Sequence, residues 1–369
     1  MHFTLTLLAL CAALAFTPAG RADGREIVAR TEVTKWGQLP AAFEISGQAL
    51  PEGVTASDFT ITGEASGWGA SSLHPFSCEA TSVEALGDGW RLVPERFPDK
   101  FFYVRKLEVC CAGHGALDFT LEDIDRTATP VADDFSLYED PAAQLRARVY
   151  LPQADEPVPV VVVFHGYGDT ENLLTYRTAI PWAEPEFQAT HPCAVIAPVI
   201  PDALYTSEFV RAGVCEGVLG WIDAQAQAGR VDPKRVYAMG NSFGGMTAIE
   251  LAEQHPDRVA AVLALCPALN YSAHATQRLD ALAGIPVAIV QAEHDETIPI
   301  QVGRDAAAAL EAAGNPSVTL RIYTDDEMTA AGAKPGSAEV YSFHHVELAA
   351  MEPPEFDRYA EWLFSQKIP

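Results

Sequence analysis

Positive charge is scarce in this sequence. Lysine and arginine total 24 against 50 aspartates and glutamates, a formal net charge of −26. A surface of that sign repels phosphate backbones and anionic membranes, which argues against nucleic-acid binding and electrostatic membrane docking. Long hydrophobic runs are scarce too: beyond the N-terminus no segment approaches the ~20 apolar residues of a membrane span. Cysteines at zinc-module spacing are missing, since no pair two to four residues apart is followed by a second such pair. Internal repeats and low-complexity tracts are absent as well, which excludes solenoids and fibrous chains.

What is present begins with "MHFTLTLLALCAALAFTPAGRADG". An apolar run from Phe3 to Phe16 precedes Gly20-Arg21-Ala22, a small–x–small cleavage pattern. Residues 1–22 therefore read as a secretory signal peptide, and the product is expected to be secreted or periplasmic. Leu10 precedes Cys11 where a lipoprotein signal needs a small residue, so no lipid anchor is expected. Export would leave Cys78, Cys110, Cys111, Cys193, Cys215 and Cys266 in an oxidising compartment. Cys78 with Cys110 or Cys111, and Cys193 with Cys215, are the pairs expected if disulfides form, the alternative being that some are buried small hydrophobes.

The remainder has two rhythms. Residues 25–126 hold short alternating segments such as "AAFEISG", "DFTITG" and "LDFTLED", separated by turn signals such as "LPEG" and "GDG". That pattern predicts a small all-β sandwich. His74 and His114 stand alone there and read as surface imidazoles. A boundary is expected in "RTATPVADD". Residues 132–369 alternate continuous apolar strands such as "VPVVVVFHG", "CAVIAPVI" and "PVAIVQAEHD" with helical patterns near 208–228, 244–254 and 302–313. Apolar strands interleaved with helices predict an α/β domain: a mostly parallel sheet covered on both faces.

"RVYAMGNSFGGMTAIELAEQ" is the most informative stretch in this half. Gly240-Asn241-Ser242-Phe243-Gly244 fits G-x-S-x-G between a strand and a helix. That context raises a serine hydroxyl above a sheet edge on a strained bend. Gly240 and Gly244 supply the room where strand and helix press together. A serine nucleophile needs a neutral imidazole to take its proton and a carboxylate to orient that imidazole. On a parallel sheet these follow in the order acid, then base. Asp295 ends the strand in "PVAIVQAEHDETIP" and is the expected acid, with Glu293 and Glu296 as rivals. His344 and His345, in "YSFHHVEL" beyond the last strand, are the candidate bases. An oxyanion needs two N–H donors. The amide of Phe243 is one; the second is expected at Tyr167, in the H-G-x-G stretch that also holds Gly166. His165 is expected to brace that loop.

With these residues in place the chain resembles secreted α/β-hydrolase esterases. More narrowly it resembles peptidase-like esterases with an N-terminal immunoglobulin-like domain, kin of polyhydroxybutyrate depolymerases and feruloyl esterases. "PVVVVFHGYGD", "RVYAMGNSFGGM", "AEHDETIP" and "EWLFSQ" carry the resemblance. In that family the base lies a short, fixed distance before the tryptophan of the "EWLF" motif, and the spacing to Trp362 favours His345 over His344. "HHVEL" and "HGYGDTEN" depart from the family's usual segments. The resemblance implies ester hydrolysis through Ser242, Asp295 and His345 with no metal or organic cofactor. It implies a small-molecule or polymer-borne ester as partner, with self-association through the N-terminal unit open. A prolyl-oligopeptidase-like peptidase and a non-catalytic binding protein on a hydrolase scaffold are the alternatives.

Overall fold

A computed structural model describes residues 24–34, 37–66, 73–95, 103–168, 174, 177–336 and 342–369. The expected signal peptide lies outside the described residues. Among them no helix is long and apolar enough to cross a membrane.

Eight strands make the first unit: β1 (Glu26–Thr34), β2 (Gly37–Ser46), β3 (Phe59–Ser66), β4 (His74–Leu86), β5 (Gly89–Pro94), β6 (Tyr103–Cys111), β7 (Phe119–Thr120) and β8 (Arg126–Ala128). They hydrogen-bond in the order β7-β6-β3-β4-β5-β2-β1-β8. β4 joins two groups, because His74–Glu79 pair with β3 whereas Ala80–Leu86 pair with β5. A register shift between Ala80 and Ser82 marks the change of partner. Although β2 and β7 are far apart in the strand order, Phe43 meets Phe119 edge-on at 5.2 Å. The sheet therefore folds over itself in two layers. Ile27, Phe43, Ile61, Trp90, Leu92 and Leu107 fill one shared core between them.

The second unit begins with the antiparallel pair β9 (Ser136–Asp140) and β10 (Leu145–Tyr150). Then come β11 (Val158–Phe164), β12 (Ala194–Pro198), β13 (Val231–Asn241), β14 (Ala261–Leu265), β15 (Val287–Ala292) and β16 (Val318–Tyr323). The order is β16-β15-β14-β13-β11-β12-β10-β9, with every pairing from β12 to β16 parallel. The sheet is mixed only at its β9–β10 edge. β11 shows why its strands carry no polar face. Val158, Val160, Val162 and Phe164 enter one core while Val161 and Val163 enter the other. Helices cover both faces, among them Glu208–Gln227, Phe243–Gln254, Ile300–Ala312 and Glu355–Phe364. Three lie within two residues of the sequence-predicted spans.

The expected disulfides are corrected. Cys78, Cys110, Cys111, Cys193, Cys215 and Cys266 are all free thiols. Cys78 on β4 stands opposite Ile61, and Cys110 and Cys111 on β6 stand opposite Thr60 and Phe59. β3 thus lies between them, and two strand spacings of roughly 4.8 Å exceed the reach of a disulfide. Cys193 and Cys215 sit in the cores on opposite faces of the second sheet.

Candidate active site

β13 delivers Ser242 to the sheet's C-terminal edge, where ligands bind in open α/β folds. The chain reverses there from strand to helix, and Ser242 takes φ 55° and ψ −118°. That left-handed backbone is costly for a residue with a β-carbon. It is held from three sides: the Ser242 N–H donates to the Leu265 carbonyl at 2.9 Å, and its own carbonyl accepts from Met246 at 3.1 Å and Ala268 at 3.0 Å. Small neighbours are obligatory. A β-carbon on Gly240 would stand 2.4 Å from the Phe164 carbonyl oxygen, and one on Gly244 would stand 2.1 Å from it. Helix Phe243–Gln254 starts directly after the serine, with no side-chain cap from Ser242. Its first amides, that of Phe243 included, face the site as a positive helix end.

The loop after β11 is built by His165. Its Nδ1–H donates to the Gly166 carbonyl at 2.7 Å, and its Nε2 accepts from the Ile200 amide at 3.0 Å. The hydroxyl of Tyr205 donates to the His165 carbonyl at 2.5 Å. Burial pushes the imidazole below its ordinary pKa, consistent with this neutral tautomer. Gly168, at φ 85°, donates its amide to Asp202 at 2.9 Å. Between these fixed points Tyr167 is half exposed, its ring 5.7 Å from that of Phe243. Phe243 in turn lies 5.3 Å from Tyr271, so an aromatic row runs past the serine.

Asp295 follows β15. Its Oδ1 accepts from the amides of Thr297 and Ile298, each at 2.8 Å. The imidazole on Asp295 is His344: Nδ1 lies 2.9 Å from Oδ2 and 3.0 Å from Oδ1. The preference for His345 is thereby corrected. His345 turns away, with Nδ1 2.8 Å from Glu347 Oε1. Burial and the neighbouring His344 push its pKa down to about 3. A short helix, Glu347–Ala350, stands between the histidine pair and the terminal helix that bears Trp362. Burial disfavours a charged His344 as well, but the Cys266 and Asp295 side chains against the ring outweigh it and hold its pKa well above the usual histidine range.

The rival acids have other contacts. Glu293 is exposed beside His294 and Asp325. Glu296 accepts from the Gly336 amide at 2.9 Å and the Phe343 amide at 3.0 Å, so it fixes the segment that bears His344. Nothing in the sequence marked that duty. Cys266 was also missed. It follows β14 at φ 38°, donates its amide to the Val290 carbonyl at 2.7 Å, and sets its thiol beside Asp295 and His344. Ser242 bonds to the adjacent Leu265, so serine, acid and imidazole gather around this one strand end.

Comparisons with known proteins bear on the fold that carries this site. Residues 213–332 match the Phospholipase/Carboxylesterase family. A relative named as an esterase, NocK of Nocardia uniformis subsp. tsuyamanensis, is 29% identical over 151 residues. That alignment takes in 36% of this chain and 42% of the relative, less than half its length. Among solved structures, one titled as a thermostable esterase superposes with a TM-score of 0.70 at 20% identity, covering 93% of this chain and 99% of that one. The family match and the superposition agree on the α/β-hydrolase fold.

Proposed function

We propose that this protein is a serine hydrolase of carboxylic esters, with Ser242 as nucleophile, His344 as general base and Asp295 as the residue that orients it. The observation that carries the reading is the buried Asp295 carboxylate bonded to His344 Nδ1 at 2.9 Å, on a sheet edge where only β14 stands between its strand and that of a serine on a positive-φ corner. With Nδ1–H donated to Asp295, the neutral ring carries its lone pair on Nε2, the form a base requires, and because the pKa of His344 is raised that form gains as pH climbs. Ser242 Oγ attacks the acyl carbon as its proton passes to Nε2. Charge on the carbonyl oxygen is met by the amides of Phe243 and Tyr167. The alcohol leaves with the proton from His344. Water, deprotonated by the same nitrogen, then releases the acid and restores Ser242. The names of the relatives support an ester substrate, and the aromatic row of Tyr167, Phe243 and Tyr271 supports an apolar one. We assign residues 1–22 to export and the N-terminal unit to an immunoglobulin-like accessory domain on the sequence pattern alone.

A fluorophosphonate probe and p-nitrophenyl butyrate test the reading together. Wild type should be labelled and active, and Ser242→Ala neither. Equal labelling of Ser242→Ala refutes the assignment.

A further inference from the structure

We propose that Cys266, His344 and Asp295 form a binding site for a thiophilic divalent cation such as zinc, whose occupancy switches the enzyme off. The inhibitory part rests on the catalytic roles given above to His344 and Asp295. One ligand atom from each residue lies within 4.8 Å of the other two. Zinc binds thiolate at about 2.3 Å and imidazole or carboxylate at about 2.0–2.2 Å, so its tetrahedral ligands stand roughly 3.3–3.8 Å apart. Drawing the three side chains together by about 1 Å closes the site. The donor set is selective: a thiolate favours zinc, cadmium or cobalt over magnesium and calcium, which take oxygen ligands.

The thiol is not in this position by default of packing. Cys266 occupies a left-handed backbone at φ 38° that glycine would adopt without strain. The Asp295 carboxylate is steadied by two backbone amides, the kind of outer support that metal ligands receive. Cys266 and Asp295 are sealed, while the His344 side chain keeps 12% of its surface exposed, so the ion enters past the imidazole. Cys266 binds as thiolate, its proton going to solvent, and His344 binds as a neutral ring whose proton moves from Nδ1 to Nε2. The acid and the base are then committed to the metal, and Ser242 loses its proton acceptor. A second cluster, Glu293, His294 and Asp325, is exposed and has no thiol. It provides an internal control.

The test adds Co2+ to the metal-free full-length protein and records the near-ultraviolet thiolate-to-cobalt charge-transfer band, then titrates Zn2+ into the p-nitrophenyl butyrate assay. The band should appear in wild type and His294→Ala and be absent from Cys266→Ser and Cys266→Ala. Zinc should lower wild-type kcat/KM at least about tenfold, reversibly with EDTA, and each Cys266 variant, compared with its own zinc-free rate, should need at least about tenfold more zinc. No band in wild type, or a Cys266→Ser protein that responds to both metals as wild type does, overturns the proposal. A Cys266-dependent band in a protein that neither hydrolyses esters nor takes the fluorophosphonate supports the metal site and refutes the catalytic reading instead.

Discussion

Asp295→Asn separates the orienting role of the carboxylate from its structural one. Asp295 Oδ1 accepts two backbone amides at 2.8 Å, and the amide oxygen of asparagine accepts both equally well. The fold around the turn is therefore kept, and stability should change by no more than about 1 kcal/mol, the worth of an ordinary hydrogen bond. The other side of the group is inverted. An asparagine NH2 in place of Oδ2 donates toward His344 Nδ1, so that nitrogen must accept and Nε2 must carry the proton. A protonated Nε2 cannot take the proton of Ser242. The wrong tautomer costs about 10,000-fold in kcat where this constellation has been tested, which corresponds to roughly 5.5 kcal/mol of barrier. Steady-state hydrolysis of p-nitrophenyl butyrate and a thermal melt, run on the same preparation, give both quantities. A folded Asp295→Asn protein within tenfold of wild-type kcat would refute the pairing of Asp295 with the catalytic imidazole.

Three further outcomes follow from the geometry. His344→Ala should abolish fluorophosphonate labelling, whereas His345→Ala should retain it while losing about 1–3 kcal/mol of stability, since buried Glu347 gives up its imidazole partner; labelling with the reverse pattern would return the base to His345. Gly244→Ala drives a β-carbon to 2.1 Å from the Phe164 carbonyl oxygen and 2.6 Å from that of His165, so the helix must lift off β11. The expected cost is about 1–3 kcal/mol in a chemical melt with roughly 100-fold in kcat, and wild-type values for both would contradict the contact. Glu253, buried in the helix after the nucleophile with Oε1 unpartnered among the described residues, is pushed up to about 9 by burial and then by the charge of Glu250. Between the ordinary glutamate value and about 9 the folded protein holds a proton that the unfolded chain lacks, so stability falls as pH rises, by up to about 1.4 kcal/mol per unit. Urea unfolding at pH 6 and 8 should show Glu253→Gln free of that loss and the more stable form at pH 8; an unchanged difference between the two pH values would show that Glu253 is charged in the fold.

The elements that sequence made legible are those whose reason is local. The elbow at Ser242 needs strand, small residues and helix in immediate succession, and all are written in one short stretch. β11 reads as doubly buried because each of its valines and Phe164 faces one core or the other. Asp295 is legible because a strand end fixes where it points. The choice between His344 and His345 is different. It depends on Glu296 reaching across to the Phe343 amide and on Glu347 drawing the second imidazole away. Both are contacts between segments whose approach no periodicity encodes. The cysteine pairs failed for a related reason: proximity in sequence says nothing about an intervening strand or the opposite side of a sheet. Cys266 escaped notice because a cysteine at a strand end is common, and only the assembled edge sets it among the acid and the base.

The two oxygens of Glu296 hold Gly336 and Phe343. One carboxylate in the turn after β15 thus ties down the backbone at two points, so the segment that bears His344 takes its position from the same turn that carries Asp295. A distortion of that turn would move carboxylate and imidazole together and preserve their pairing.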